Sequence, residues 1–167
     1  VRNVHTIEGD VNLQVGNIKF AGSVEVKGTV ESGFQIFAGE DIHIGESVEA
    51  ALLSANNDIT IDRGIIGKNR GVVRSKGSIQ AAFVENARLL AVGDITIKGY
   101  CLRSHLKCNG KVFLEGDKGF FMGGSVKSRC GMEVTDLGSE QELKTLVSFG
   151  QDYLVEDQIE LEEREIQ

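Results

Sequence analysis

Three histidines and three cysteines are the side chains of this 167-residue sequence that could most readily do chemistry. His105 lies three residues before Cys108, but a closed zinc site needs four ligands and the sequence offers only weak further candidates. The sequence contains no C-x-x-C pair, and an odd number of cysteines argues against a disulfide framework. The favoured interpretation of Cys101 and Cys108 is core packing, where cysteine behaves as a small apolar residue.

A phosphate-binding loop is the next chemistry to consider. The segment GIIGKNRG from Gly64 has glycines and a lysine, but it lacks the order G-x-x-x-x-G-K-[ST] that cradles a phosphate. A widened corner between strands is favoured. We therefore predict no catalytic residue, no cofactor and no metal ligand. Whether any of these side chains could act depends on the elements that position them.

Those elements repeat about every 17 residues. Short segments of the form small–polar–apolar–x–apolar recur, among them GSVEV from Gly22, NDITI from Asn57 and GDITI from Gly93. Apolar residues two apart indicate strands with one face inward. The first apolar positions are Val11, Val24, Ile42, Ile59, Ile79, Ile95, Val112 and Met132. The apolar positions two residues later are Leu13, Val26, Ile44, Ile61, Ala81, Ile97, Leu114 and Val134.

Two further apolar columns complete each repeat. Six positions before the first column stand Ile18, Ile36, Leu53, Val73, Leu89, Leu106 and Val126. The third column contains Val30, Val48, Ile65, Val84, Cys101, Phe120 and Leu137. Three short strands per repeat predict an all-β fold, a single-stranded parallel β-helix (β-solenoid) of about eight rungs. Irregular spacing favours a right-handed coil over a left-handed hexapeptide helix. A β-sandwich, the alternative, does not demand in-register columns of like residues.

The composition fits this fold, because the chain has 21 glycines and no proline. In a β-helix nearly every strand lies between the strands of neighbouring rungs, so its N–H groups are needed as donors, and proline has none. Glycine supplies the corners that turn the chain between faces. At Glu40, Asn56 and Asn57 the glycine usual before a rung is missing, which leaves the shape of those corners open.

Charge divides the chain into two parts. Residues 151–167 hold seven acidic residues and one arginine, so most of the net charge of −7 lies there, and all the glycines lie before them. We place a boundary at Gly150: residues 1–150 form the β-helix domain, and residues 151–167 form an acidic amphipathic helix that begins a cap or a coiled coil. A nearly neutral body and an acidic helix argue against nucleic-acid binding, and no apolar run is long enough for membrane insertion.

Several segments together resemble the β-solenoid domain of the flagellar assembly protein A family. They are GNIKFAGSVEVKGTVESGF from Gly16, GIIGK from Gly64, AAFVENA from Ala81, KGFFMGG from Lys118 and LGS from Leu137, followed by the acidic helix. The resemblance covers roughly residues 9–160. It implies a bacterial cytoplasmic protein with an assembly or scaffold role, and it supplies no catalytic residues. In that family the solenoid lies between two other regions, so we expect this chain, which begins at Val1, to be a fragment.

We therefore predict a structural or interaction module that binds protein partners and associates with itself as a homo-oligomer. The open ends of a β-helix are templates for association unless they are capped, and Arg2–Glu8 and Thr145–Phe149 are the candidate caps. The alternative is a β-helix enzyme, an acyltransferase or a carbohydrate-active enzyme, with an outward His43 or His105 as its base. It requires that histidine to lie in a cleft that faces acidic or amide groups.

Other outward positions carry charge and aromatic rings. Lys19, Arg74, Lys107 and Lys127 form the nearest approach to a basic stripe. Scattered charge on the surface of a soluble rod is the favoured interpretation of this stripe. Phe37 and Phe113 also fall on outward positions, where a covered or contact surface would use them.

Overall fold

The computed structural model describes residues 3–114, 120–130, 132–133, 136–137 and 146–149, with side-chain burial for residues 3–114 and 123–130. This part of the chain contains parallel strands and no helix. The strands alternate between two sheets, so that each strand of one sheet is followed along most of the chain by a strand of the other. The result is an all-β parallel β-solenoid of about seven turns, which confirms the predicted fold class.

Eight strands form the first sheet, in chain order. They are β1 (Val4–Ile7), β3 (Ser23–Val26), β5 (Ile42–Ile44), β7 (Ile59–Ile61), β9 (Ile79–Ala81), β11 (Ile95–Ile97), β13 (Val112–Leu114) and β15 (Met132–Glu133). The second sheet contains β2 (Ile18–Phe20), β4 (Gln35–Ala38), β6 (Leu52–Ala55), β8 (Gly64–Ser75), β10 (Phe83–Ala91), β12 (Tyr100–Cys108), β14 (Phe120–Ser128) and β16 (Asp136–Leu137). A further strand, β17 (Leu146–Phe149), also pairs with β14.

The predicted columns form the core, because equivalent residues of successive turns pair directly. Ile42 pairs with Val24 and Ile59 in the first sheet, and Leu89 pairs with Val73 and Leu106 in the second. All six are buried. Burying a Val, Leu or Ile side chain contributes about 1.5–3 kcal/mol. Repetition of this contribution along the rod stabilises a fold whose individual turns could not stand alone.

The third column changes character along the rod. In the first turns it consists of single bridges that join Val11, Val30, Val48 and Ile65. From β8 onward it merges with the second sheet, since β8 has 12 residues and β10, β12 and β14 have nine each. Each of these long strands bends at residues with positive φ, namely Lys68, Asn69, Asn86, Arg103, Gly123 and Gly124. The corner predicted in GIIGKNRG is therefore a bend within a strand.

Two column assignments were wrong. Val11 and Leu13 do not begin the first column: Val11 lies in the third column, and Leu13 is 92% exposed. β1 occupies that place instead, with His5 opposite Val24. A polar residue at this position hid the strand, and the short step from Val11 to Val24 is too small for a full turn. In the third column, Phe121 rather than Phe120 pairs with Cys101.

The corner before the first sheet keeps its shape where glycine is missing. The Glu40 N–H donates to Gly22 O at 3.1 Å, the Asn57 N–H to Glu40 O at 3.0 Å and the Gly77 N–H to Asn57 O at 3.2 Å. The same bond then joins Gly93 to Gly77 at 2.7 Å. Rung-to-rung hydrogen bonding therefore fixes this corner, whichever residue occupies it.

The boundary at Gly150 and the helix over residues 151–167 lie outside the described residues, and the handedness of the coil stays a prediction. The candidate caps each contain a strand: Val4–Ile7 extends the first sheet and Leu146–Phe149 pairs with β14. Within the described residues, the N-terminal candidate is therefore the edge strand of the first sheet. Among the described residues, no helix could span a membrane.

Candidate functional site

His43 lies at the centre of a small charged cluster on the outer face of the first sheet. Its Nε2–H donates to Asp62 Oδ1 at 2.9 Å, and its Nδ1 lies 3.6 Å from Glu25 Oε2. The Glu25 carboxylate also pairs with Lys27 Nζ at 2.9 Å, and this hydrogen-bonded pair lowers the pKa of Glu25 and raises that of Lys27. Strand pairing explains the cluster, because Glu25 and His43 are direct neighbours in the ladder.

The contacts within this cluster make His43 poorly placed to act as a general base. A base must direct a ring nitrogen at the proton it removes. Both nitrogens of His43 instead face carboxylate oxygens of the neighbouring turns. The acidic groups that the enzymatic alternative requires are thus present, but they occupy the positions that a substrate would need.

His105 has a different neighbour. It projects from the outer face of β12, where its Nδ1 lies 2.8 Å from Ser125 Oγ on β14. A serine nucleophile needs a base that is itself oriented by a third group. Among the described residues, no carboxylate is in hydrogen-bond contact with His105. Cys108 is buried on the opposite, inner side of the same strand, so the structure does not bring the His105–Cys108 pair together.

The cysteines are free, and two of them belong to the core. Cys101 and Cys108 are fully buried, whereas Cys130 is exposed. Burial raises the pKa of the Cys101 thiol above its usual range, and burial is the main cause that raises the pKa of Cys108 to about 11. Both thiols therefore stay protonated near neutral pH and are poor nucleophiles. In the described part of the chain, no group of three or more His, Cys, Asp or Glu side chains could hold a metal ion.

A ladder of side-chain acceptors runs along the corner before the first sheet. Asp41 Oδ1 accepts the Asp58 N–H at 3.0 Å, Asp58 Oδ1 accepts the Ser78 N–H at 2.8 Å, and Ser78 Oγ accepts the Asp94 N–H at 3.1 Å. Asp94 Oδ1 continues the ladder to the Lys111 N–H at 2.7 Å. The Asp and Ser side chains of this ladder accept backbone hydrogen bonds and so satisfy the N–H groups of the next rung. The sequence shows them only as the polar residue of each repeat.

An aromatic pair covers the third column on the outside. The rings of Phe83 and Tyr100 stack at 5.2 Å with an interplanar angle of 14°, and Tyr100 Oη donates to Glu85 Oε1 at 2.9 Å. Burial and the bond to Glu85 raise the pKa of Tyr100. A side chain at Gly64 would overlap the Phe83 ring, so glycine makes room for the aromatic residue of the next turn.

The outer face of the second sheet is buried at its centre. Ser54, Arg74 and Leu90 are direct neighbours in the ladder, and they are 5%, 0% and 3% exposed. Their side chains point outward, because Leu53, Val73 and Leu89 on the same strands point into the core. The interpretation of Arg74 as part of a scattered surface charge was wrong. An alternating pattern shows which side of a sheet a residue faces, but not whether a second layer covers it.

The first turn is the most exposed apolar part of the described structure. Val4, Leu13 and Val15 are the large hydrophobic residues most open to solvent there, at 48%, 92% and 39%. β1 pairs with β3 on one side and forms the edge of the first sheet on the other. Exposed apolar side chains in the turn that ends a sheet are typical of a surface that pairs with another polypeptide.

Comparison with known proteins agrees with this architecture. The profile of the flagellar assembly protein A β-solenoid domain matches residues 3–167, which is nearly the whole chain. No curated protein and no solved structure matches the chain significantly. The match takes in both sheets and the residues that carry the resemblance in the sequence. This chain therefore belongs to the flagellar assembly protein A β-solenoid domain family.

Proposed function

We propose that this domain is a non-catalytic scaffold module that binds proteins, including a second copy of itself, through the open end of its solenoid. The family and the solenoid fold fit a module related to flagellar assembly. The observation that carries the proposal is the first turn, which ends the first sheet at β1 and contains the exposed apolar side chains Val4 and Leu13. An enzyme would instead bring polar groups together in a protected cleft.

Symmetry suggests how two copies would meet. A two-fold axis at this end would place the β1 edges of two chains side by side in antiparallel orientation. Each edge would then satisfy the backbone groups of the other, and Leu13 of each chain would lose contact with water. Such an interface is closed, so it produces a dimer and not a fibre.

Sedimentation of the full chain over a range of concentrations tests this proposal. We expect a monomer–dimer equilibrium that Leu13→Glu weakens by about tenfold or more, the equivalent of about 1.4 kcal/mol. The matched control is Thr96→Glu, which adds the same charge on the outer face of β11 and should leave the equilibrium unchanged. A strict monomer at high concentration would contradict the proposal. An equal response to both substitutions would place the interface elsewhere.

The non-catalytic part of the proposal is supported by the contacts of both histidines. His43 faces two carboxylates, and His105 contacts Ser125. We expect a full-length protein with His43→Ala and His105→Ala to restore swimming in a bacterium that lacks its own copy, and one with Leu13→Glu to fail. Loss of swimming with the histidine pair, at normal protein level, would favour the enzymatic alternative.

We also propose that the domain works in the bacterial cytoplasm, as the family resemblance implies. The three free cysteines support this, since reducing compartments keep thiols unpaired. Fractionation of the native cells, with the protein detected in each fraction, tests the location. Recovery from the periplasm with oxidised cysteines would contradict it.

A further inference from the structure

The two sheets differ in how their outer faces meet water. On the first sheet, the outward column Glu25, His43, Thr60, Gln80, Thr96 and Phe113 is partly exposed throughout. On the second sheet, the equivalent column is buried at Ser54, Arg74 and Leu90. Neighbouring strands lie about equally far apart in both sheets, so contacts between ladder neighbours alone cannot account for the difference in exposure. An arginine with no exposed surface requires a layer above it.

Ladder pairing and the corner connections of the described strands do not supply this layer. The described strands that contact β8 and β10 most closely are their ladder neighbours and the strands joined to them around the corners. These lie within the second sheet or across the core. In the described part of the chain they do not account for a cover on the outer side.

Charge indicates which segment provides the cover. Past their bends, the four long strands of the second sheet carry the outward basic residues Arg74, Arg88, Lys107 and Lys127 and no acidic residue. The strands of the first sheet carry Glu25 and Glu133 and no basic residue. Residues 151–167 hold seven acidic residues among apolar ones. The most acidic segment of the chain thus matches the basic outer face in charge.

Length is consistent with the same assignment. From Phe37 to Lys107 the outward column crosses five turns, about 19 Å at the spacing of neighbouring strands. If residues 151–167 are helical, as their sequence predicts, they extend about 25 Å. Leu154, Ile159 and Leu161 supply the apolar side chains that Leu90 and Phe37 would contact.

We propose that the acidic segment 151–167 docks on the outer face of the second sheet, over Ser54, Arg74 and Leu90, within the same chain. Its apolar residues cover Leu90 and its carboxylates neutralise the basic strands. The basic face is then reserved for an acidic amphipathic segment. A partner that carries a similar segment could reach this face only by displacing residues 151–167.

Thiol labelling at Ser54 tests the docking directly. Ser54→Cys is nearly isosteric and places the probe on the covered face; Cys130→Ser removes the exposed native thiol. The matched control is Thr60→Cys in the same background, on the outer face of the first sheet. Under native conditions we expect Ser54→Cys to react with a maleimide about tenfold more slowly than Thr60→Cys, since reaction requires local opening. Equal rates would overturn the proposal.

A second set of variants identifies the occupant. Asp157→Asn, Glu162→Gln and Glu165→Gln together neutralise acidic residues that a helix would place on the same side as Leu154 and Leu161, and we expect the Ser54→Cys rate to rise at least about threefold. The control neutralises Glu8, Glu40 and Glu46, which lie outside both the segment and the second sheet, and should not change the rate. An unchanged rate in the first variant would show that another segment covers the face.

Dependence on protein concentration separates docking within one chain from docking between chains. We expect the Ser54→Cys rate to be the same at low and high concentration, because the segment belongs to the same molecule. A rate that falls as concentration rises would assign the cover to a second copy and overturn the proposal. Leu13→Glu should leave this rate unchanged, so failure of the end-to-end association is distinguishable from failure of the docking.

Discussion

The two sheets of this solenoid share one core and one repeat, yet their outer faces are used differently. The first sheet consists of short strands, most of three residues, whose outward side chains from Glu25 to Phe113 are mostly polar or charged and partly exposed. The second sheet gains long bent strands from β8 onward, a basic outer face and a buried centre at Arg74. From β3 and β4 onward, the inner columns of both sheets are buried wherever burial is described. The inward residues maintain the rod, and the difference between the two faces rests on the outward residues.

The largest test of this contrast truncates one outward side chain on each sheet. Leu90→Ala should destabilise the protein by about 2–5 kcal/mol, as for a core leucine, because Leu90 is 3% exposed although it points outward. Thr96→Ala on the first sheet should change stability by no more than about 0.5 kcal/mol. Denaturant unfolding measures both. A small effect at Leu90 would mean that its cover contributes little, and the contrast between the sheets would fail.

A glycine of the corner should give the next largest effect. A methyl group at Gly110 would overlap Asp94 Oδ1 and the carbonyl oxygen of Gly93, so Gly110→Ala should cost about 1–3 kcal/mol. Gly9 is the control, since nothing lies within 4 Å of a side chain placed there, and Gly9→Ala should be neutral or slightly stabilising. Thermal unfolding of the two variants compares them. Equal effects would show that the corner yields to the added methyl group.

The acceptor ladder should contribute less. Asp94→Ala removes the acceptor of the Lys111 N–H and should cost about 1 kcal/mol, whereas Asp94→Asn keeps an acceptor oxygen and should recover most of the loss. Hydrogen exchange of the Lys111 amide provides a local measurement beside global unfolding. If Asp94→Asn is as unstable as Asp94→Ala, charge rather than hydrogen bonding is the useful property of Asp94.

The smallest expected effect is the pH dependence of the outer cluster on the first sheet. The pKa of Glu25 is lowered by its bond to Lys27, so the pair stabilises the fold above the usual pKa of a glutamate and loses this contribution as pH falls through the lowered value. Glu25→Gln should therefore be slightly less stable than the wild type at neutral pH and equal to it in acid. Unfolding curves at both pH values test this. A difference that persists in acid would have another cause.

Most of the fold could be predicted because two features of the sequence indicate the same repeat: the spacing of the apolar residues and their type. Ile42, Ile59 and their equivalents are apolar at nearly constant intervals, and parallel strands in register require just that. The strand Val4–Ile7 was missed because His5 stands where the column is otherwise apolar. A polar residue is tolerated in the last strand of a rod because the core does not continue beyond it. The apolar pattern of the sequence therefore does not reveal this strand.

The outer surfaces were less predictable, for a physical reason. His43 could be placed outward from its neighbours Ile42 and Ile44, but its contact with Asp62 depends on how the turn after Ile61 directs that carboxylate. The pairing of His105 with Ser125 depends on a register between residues 20 positions apart, which the bend near Arg103 and Gly124 sets. Columns of like residues reveal which inward residues pair between successive turns. Outward residues vary from turn to turn, so their type does not reveal which of them are neighbours.

The sequence by itself determined the architecture: apolar residues two apart recur turn after turn, proline is absent where each N–H serves a neighbouring rung, and glycine stands where corners are crowded. Only the tertiary structure decided which outward residues meet water. Thr96 and Arg74 occupy similar places in their strands, yet one is partly exposed and the other has no exposed surface. The burial of an outward residue depends on what lies above its sheet. Contacts between segments that are distant in the sequence produce no periodic pattern, so the sequence does not show them.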